Sequence, residues 1–463
     1  MPLYLTEDPG RFLSQINASE DHEELFKDLY VGYDADKESV AGLRRRRRRA
    51  SNTQDDPIKT VSLIEEDGVL YWRDGIPGAD LPSRRRAGRS SEPTAPGGTL
   101  VLAKQFPVLE PNKVVAAIGA IDTRLNPSIN ASLHSRLRQM QGGNGNFALS
   151  DADVRGPFEG RTLLFVHGTF SNAANMLEEF KATQPGRDFL NGAMSGVNKF
   201  DRVVFFEHAT LAVSPVLNAL ELGRALAGSS GQIDVIAHSR GGLIVRWWLE
   251  AFGASLRVAG NQPIRVIFAG SPLHGTSLAA PDKLQHAMSL ISNIGTFAEK
   301  TLQLVGAANP FLWVAGKLVE VVVSVTGALA NTPLLDGLVA LIPGLFGQSA
   351  VSNNFELNLL RLGPCAVSPA YFAIRSNFET QDPGWKFWQN FRATRIGDMA
   401  ADVVFPGPND LVVDTSSMTD LGESDFQIKV SDDICDFGTQ GDVWHCNYFR
   451  QQKTIDYITA KFT

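Results

Sequence analysis

Ile233-Asp234-Val235-Ile236-Ala237-His238-Ser239-Arg240-Gly241-Gly242 is the stretch on which the reading of this chain turns. A short apolar run leads to a single hydroxyl side chain, and a glycine pair then opens an apolar-periodic helix. A strand that bends this sharply into a helix holds its apex residue in strained backbone geometry. The positions two before and two after the apex must therefore be small. Ala237 and Gly241 meet that demand, with Ala237 standing where glycine is the commoner choice. The turn presents Ser239 as a candidate nucleophile above the edge of a sheet.

Outward from this turn the pattern of strand then helix repeats. Leu163-Leu164-Phe165-Val166, Val203-Val204-Phe205-Phe206, Ile233-Asp234-Val235-Ile236, Ile264-Arg265-Val266-Ile267-Phe268 and Tyr371-Phe372-Ala373-Ile374 read as buried strands. Helical stretches lie between most of them. One begins at Ser214-Pro215, with serine as N-cap and proline at the first helical position, and another runs from Gly242 through Trp247, Trp248 and Leu249. Alternation of this kind predicts an α/β fold, a mostly parallel sheet with helices on both faces.

The chain has 463 residues, 43% hydrophobic and 20% charged, with a formal net charge of −7. That describes a globular protein with a large core and no global drive toward nucleic acid, so no nucleic-acid partner is expected. Residues 1–110 read as an amino-terminal extension, partly disordered, and 111–463 as the main domain. Within the extension, Val61-Ser62-Leu63-Ile64 and Val69-Leu70-Tyr71-Trp72 look like a β-hairpin. The unbroken run Arg44 to Arg49 and the cluster Arg84, Arg85, Arg86 and Arg89 read as solvated disordered loop, with a nucleic-acid contact, an anionic-membrane contact or a nuclear address as the alternatives; no aromatic residue is interleaved for stacking on bases. Residues 90–98 have linker composition. Met1 to Asp8 shows neither a basic nor an apolar leader region, which makes a cytoplasmic protein the expectation. Cys365, Cys435 and Cys446 are too few for a disulfide framework; Cys435 and Cys446 are expected as free thiols, although the two could pair in an oxidising compartment.

The stretch of about 280–350 breaks the rhythm. It is rich in Val, Leu, Ala and Gly, yet Glu299, Lys300, Lys317, Glu320 and Asp336 interrupt it and Pro310, Pro333 and Pro343 punctuate it. Its charge-free run from Val321 to Leu335 is shorter than the roughly 20 residues a membrane-spanning helix needs. It reads as an inserted helical cap, with Phe311, Leu312 and Trp313 the residues expected to face substrate, together with Phe170 from the loop after the first strand. So apolar a segment must bury itself against the sheet's catalytic edge, a partner or, transiently, a membrane surface.

A serine nucleophile needs a base, an acid that orients the base, and amides that receive the oxyanion. In a sheet of this kind the chain order is serine, then acid, then histidine. Three histidines follow Ser239: His274, His286 and His445. His274 in Ser271-Pro272-Leu273-His274-Gly275-Thr276 comes too early and His286 lies in the presumed insertion, which leaves His445, just before a terminal helix pattern, as the base. Asp410 in Asn409-Asp410-Leu411-Val412-Val413-Asp414 is the favoured acid, with Asp414 and Asp402 as alternatives. The turn Val166-His167-Gly168-Thr169-Phe170 predicts that the amides of Thr169 and Arg240 form the oxyanion hole. His167 reads as a structural residue that ties down its loop, and His238 as a packing residue turned away from the nucleophile. No metal-ligand spacing occurs, and neither a metal nor a cofactor is expected.

The set VHGTF, AHSRGG, SPLHGT, NDLVV and WHCNYF resembles the lipase and esterase branch of the α/β-hydrolase superfamily, and in particular bacterial triacylglycerol lipases and GPI-inositol-deacylase-like hydrolases. The resemblance spans about residues 160–460 and implies the oxyanion amide at Thr169, the acid at Asp410 and the base at His445. The segment Glu207 to Pro215 is similar, more loosely, to a stretch in uncharacterised members of that branch. The expectation is a serine hydrolase of carboxylic esters, acting on a small-molecule or lipid ester. The other readings are a thioesterase or amidase using the same triad, and a catalytically silent scaffold that binds a partner or lipid.

Overall fold

The computed structural model describes residues 58–66, 69–74, 99–107, 111–129, 132–196, 199–253, 264–279, 290, 293, 342–350, 352, 354–362, 369–380, 404–405, 407–423, 428 and 433–462. The arginine runs, the linker, Asp402, His286, Phe311, Leu312 and Trp313 lie outside them, as does most of the stretch read as a cap. No helix among the described residues is long and apolar enough to cross a membrane.

The chain divides into two compact units. One comprises Met1–Ile118, Asp282–Leu338 and Pro383–Val403. Its described part contains a three-stranded antiparallel sheet of β1 (Ile58–Glu66), β2 (Val69–Asp74) and β3 (Thr99–Pro107), in the order β2-β1-β3. The register runs from Glu66↔Val69 to Val61↔Asp74, and a bulge at Leu63/Ile64 shifts the pairing with β3.

The second unit comprises Gly119–Pro281, Val339–Asp382 and Val404–Thr463. The division falls inside helix α1 (Pro111–Leu125), a little beyond the boundary expected from composition. The carboxyl end of the stretch read as a cap belongs to this unit and packs into it. Gly344 donates its amide to the Leu211 carbonyl at 2.8 Å, and Thr276 donates to Gln348 at 2.9 Å.

Eight strands form the sheet of this unit: β4 (Arg136–Gly143), β5 (Asn146–Asp153), β6 (Thr162–Val166), β7 (Arg202–Glu207), β8 (Ile233–His238), β9 (Arg265–Ala269), β10 (Ala370–Phe378) and β11 (Ile434–Gln440). Their order is β11-β10-β9-β8-β6-β7-β4-β5. From β7 to β11 all neighbours are parallel, whereas β4 pairs antiparallel with β7 and with β5. The five strands expected from apolar runs are all present. The hairpin β4–β5 and the edge strand β11 were not anticipated, because polar residues and glycines interrupt their apolar positions, as in strands covered on one side.

Packing follows the two-residue period of the strands. On β8, Ile233, Val235 and Ala237 join one core with Ala219 and Leu222 of α4 (Pro215–Ala225) and with Ile244 and Val245 of α5 (Gly241–Arg246). Ile236 faces the opposite core, with Met176, Leu177 and Phe180 of α2 (Ala173–Lys181), Leu190 of α3 (Gln184–Ser195) and, from the carboxyl-terminal helix Gln452–Phe462, Ile455 and Ile458. Ser214 caps α4 through the Leu217 amide as its sequence predicts. The helix after the elbow does not stay regular: α5 passes into a π-helical turn at Trp247–Phe252. There the buried Arg246 and Glu250 pair at 2.7 Å, and the Tyr371 hydroxyl donates to Glu250 at 2.9 Å, so that the ion pair is satisfied inside the core.

Strand order reverses at β6, which has β7 on one side and β8 on the other. In open parallel sheets the crevice beyond the carboxyl ends at such a switch point is where ligands bind. The loops after β6 and β8 carry His167-Gly168-Thr169 and Ser239-Arg240.

Candidate active site

Ser239 stands between β8 and α5 with φ +54°, the left-handed conformation that an elbow imposes on its apex. Its amide donates to the Ala269 carbonyl at 2.9 Å, which pins the turn to the end of β9. The small residues are required by close approach. A side chain at Gly241 would come within 2.4 Å of the Val166 carbonyl, and one at Gly168 within 2.7 Å of Ser239 Cβ. Phe170 (φ +57°) and Leu411 (φ +82°) are also strained, in loops that follow β6 and β10. Three non-glycine residues in this conformation, on three loops at one sheet edge, fit the tendency of backbone strain to collect at functional sites.

His445 and Asp410 are brought together. His445 Nδ1 lies 2.8 Å from Asp410 Oδ2, both residues are buried, and the His445 amide donates to the Asp410 carbonyl at 3.0 Å. Asp410 Oδ1 accepts the amides of Val412 at 3.1 Å and Val413 at 2.8 Å. Gly270 (φ +55°) joins this pair to the elbow. It follows Ala269, which holds Ser239, and a Cβ on it would fall 3.0 Å from Asp410 Oδ2 and 3.1 Å from His445 Nδ1. Among the described residues no hydrogen bond joins Ser239 Oγ to His445, and such contacts commonly tighten only when substrate is bound.

The described alternatives for base and acid, His274 and Asp414, have other partners. His274 Nδ1 sits 2.5 Å from Asp420 Oδ2, half-exposed, and Arg361 pairs with the same carboxylate. Asp414 accepts the Ser277 amide at 3.0 Å; burial raises its pKa, and the hydrogen bonds from Ser277 partly offset that. His238 is more than packing, since its Nε2 donates to the His445 carbonyl at 2.9 Å. Burial first, and the neighbouring His445 second, push its pKa down to about 3. Phe170 is a buried residue of its loop. Cys435 and Cys446 are free thiols.

Sequence reading missed Tyr448 and the buried side-chain network that joins Glu207 and Asp122 to His167 and Arg240. Tyr448, three residues after His445, donates its hydroxyl to Asp410 Oδ2 at 2.9 Å and contacts Ser376 Oγ at 2.9 Å. Burial, with the Asp410 charge second, raises its pKa well above the ordinary phenol value. Its place in the motif WHCNYF, one helical turn after the base, was the available signal.

The network lies beneath the loop after β6. Glu207 accepts Asn126 Nδ2 at 2.6 Å, the Ala173 amide at 2.9 Å and Ser128 Oγ at 2.8 Å, and its Oε1 lies 3.4 Å from His167 Nε2. Burial alone would raise this carboxyl; the hydrogen bond and charge of His167 and the Ala173 amide outweigh it and bring the pKa to about 2. Arg240 has a fully buried side chain, hydrogen-bonded to the Val213 carbonyl at 2.5 Å, Asn218 Oδ1 at 2.8 Å and His208 Nδ1 at 3.2 Å. Burial lowers its pKa to about 10, against the pull of nearby Asp122. Asp122 in turn accepts the amides of Thr210, Leu211 and Ala212. Among the described residues, neither Thr169 nor Arg240 gives its main-chain N–H to a protein acceptor, whereas the Thr169 hydroxyl donates to Gln348 Oε1 at 2.9 Å. No group of His, Cys, Asp and Glu among the described residues is arranged to hold a metal ion.

A parallel sheet whose order reverses at β6, with a strained serine elbow after β8 and a buried His–Asp pair on the later loops, is the arrangement of the α/β-hydrolase fold. The chain belongs to the family DUF7379, a domain of unknown function, whose model matches residues 134–463. No curated protein matches it. Among solved structures it is similar to lipase 1 from Pelosinus fermentans, at 14% identity over 66% of this chain and 98% of that one, with a TM-score of 0.37. It is also similar to the Pyrobaculum calidifontis esterase, at 11% identity over 76% of this chain and 92% of that one, with a TM-score of 0.27. A third similarity is to epoxide hydrolases of the α/β-hydrolase superfamily in metagenomes from hot environments, at 12% identity over 70% and 97% of the two chains, with a TM-score of 0.31.

Proposed function

We propose that the chain is a serine hydrolase of carboxylic esters, with Ser239 as nucleophile, His445 as base and Asp410 as the acid that orients it. The observation that carries this reading is the 2.8 Å contact between the buried His445 Nδ1 and Asp410 Oδ2, next to an elbow whose apex is a serine. With Nδ1 committed to Asp410, the Nε2 lone pair of His445 is the one available to take a proton.

In this mechanism Ser239 Oγ attacks the ester carbonyl as His445 Nε2 removes its proton. The carbonyl oxygen becomes an oxyanion received by the amides of Thr169 and Arg240, which have no competing protein acceptor among the described residues. Collapse of the tetrahedral adduct expels the alcohol, which takes the proton from His445 and leaves Ser239 acylated. A water molecule, deprotonated by His445, attacks the acyl carbonyl; the bond to Ser239 Oγ breaks, Oγ takes the proton back from His445, and the carboxylic acid leaves. The chemistry needs no cofactor. A thioester or amide would pass through the same steps with a different leaving group.

A fluorophosphonate probe, followed by peptide mapping, tests the nucleophile, and a panel of p-nitrophenyl esters from acetate to palmitate tests the substrate class. The expected result is one adduct, on Ser239, and turnover of at least one ester in the panel. An unlabelled protein that turns over none of them would leave the scaffold reading in its place.

A further inference from the structure

His208 is a buried polar residue that the mechanism above leaves unused. It lies at the end of β7, and its ring stacks on that of His167 at 3.9 Å between centroids and 1° between planes. Its hydrogen-bond partners decide its tautomer. Nε2 lies 3.2 Å from the His167 carbonyl, which can only accept. Nδ1 lies 3.2 Å from Arg240 Nη1, which can only donate, and 3.2 Å from the Ala209 carbonyl. The tautomer protonated on Nε2 satisfies both His167 and Arg240, whereas the tautomer protonated on Nδ1 satisfies Ala209 alone. A doubly protonated ring would oppose the guanidinium, and burial, then the charges of His167 and Arg240, lower the His208 pKa well below that of a free imidazole. His208 is therefore neutral, donating to His167 and accepting from Arg240.

These two contacts reach the two segments that supply the amides of Thr169 and Arg240. On the loop side, His167 Nδ1 lies 3.0 Å from the Gly168 carbonyl. That carbonyl belongs to the same rigid peptide plane as the Thr169 N–H, so an imidazole donor on the oxygen fixes the direction of the amide. On the elbow side, the Arg240 guanidinium is held by His208, Val213 and Asn218 within one buried cluster, and the backbone of Arg240 follows Ser239 directly.

We propose that His208 is a positioning residue for the oxyanion hole, coupling the Thr169 amide on one loop to the Arg240 amide on the other through its stack on His167 and its bond to Arg240. The proposal rests on the serine-hydrolase reading and deepens it. Two amides from separate loops receive one oxygen only if their relative position is held to within fractions of an ångström. A neutral ring bonded to both loops does this without placing a further charge beside the oxyanion.

The test compares His208→Phe, which keeps a flat ring against His167 but neither hydrogen bond, with His208→Gln, which keeps one donor and one acceptor. A positioning role predicts that His208→Phe lowers kcat by about 10- to 100-fold, less than the loss of an oxyanion donor itself, with KM within about threefold. Affinity for a boronic acid transition-state analogue should fall by a similar factor, and His208→Gln should recover most of both. Overturning results would be an unchanged kcat in His208→Phe, a rise in KM alone, equal kcat losses in the two variants, or analogue affinity that does not follow kcat. If the phenylalanine variant does not fold, His208→Asn replaces it; this keeps the acceptor for Arg240 but is too short to reach the His167 carbonyl, and the same comparison with His208→Gln decides. Ser239→Ala run in parallel separates the two levels. Turnover retained without Ser239 removes the hydrolase reading and this proposal with it, whereas turnover lost in Ser239→Ala but untouched in His208→Phe removes the proposal alone.

Discussion

The two ends of the candidate site are built from different materials. At the base end, Asp410 is surrounded by neutral donors and its histidine: the amides of Val412 and Val413, the Tyr448 hydroxyl and His445 Nδ1. At the oxyanion end the loop rests on buried acidic and basic side chains. Glu207, Asp122 and Arg240 are each almost wholly inaccessible, and imidazole rings stand between them. Short neutral donors can be removed one at a time at modest cost to the fold, and the loss then appears in the chemistry. Removing one member of a buried ionic cluster leaves its partners uncompensated, and the loss appears in stability. Substitutions at the base end should therefore read out in kcat, and substitutions at the glutamate of the oxyanion end in folding.

The largest expected effect is that of Ser239→Ala, a fall in ester turnover of at least about a thousandfold with an unchanged melting temperature. His445→Ala should match it, and the double variant should be little worse than either alone, because nucleophile and base act as a unit. A multiplicative double defect in steady-state kinetics would place His445 outside the site. Next comes Asp410→Asn, where the imidazole loses its charged partner and is free to take the wrong tautomer. A fall in kcat on the order of a thousandfold or more is expected, while Asp414→Asn stays within about threefold. If the order of these two is reversed in the same assay, the acid is Asp414.

Glu207→Gln sharpens the contrast through stability. The folded-state pKa of Glu207 is depressed from 4.5 to about 2, so its carboxylate stabilises the fold in full above pH 4.5 and loses that contribution as pH falls toward 2. The linkage is on the order of 3 kcal/mol. Wild type should therefore exceed Glu207→Gln in denaturant midpoint at pH 6, with the gap narrowing as pH falls through this window. A gap independent of pH would mean that the contribution is packing rather than charge.

Tyr448→Phe removes one neutral donor from Asp410 and should lower kcat by about tenfold, with KM and melting temperature close to wild type; a loss confined to melting temperature would make Tyr448 a packing residue. The smallest effect is that of His274→Ala, whose ring is paired with Asp420 instead of Asp410. Turnover within about twofold of wild type is expected, and a hundredfold loss would require the base to be reassigned.

Much of this was legible in the chain because it depends on local crowding. Gly241 and Gly242 are small because the elbow brings backbone and side chains against them, and that requirement is written within ten residues of Ser239. The central strands were visible as short apolar runs, interrupted only by Asp234 in β8 and Arg265 in β9, because both faces of a parallel sheet are covered. The polar strands β4, β5 and β11 left no such mark. Strand order, with β6 between β7 and β8, is set by long-range pairing between segments tens of residues apart, which local periodicity does not record.

The same division holds in the site. Sequence by itself singled out Ser239, His445 and a short segment containing Asp410 and Asp414, since chain order and motif spacing limit the candidates. Only the tertiary structure distinguishes the two aspartates, by turning Asp410 toward His445 and Asp414 toward the Ser277 amide. It alone placed Tyr448 on the acid and His208 between two loops, because a hydrogen bond 2.9 Å long is a property of where separate elements meet. A residue type carries its chemistry in the sequence, but the partner that gives that chemistry a direction is supplied by the fold.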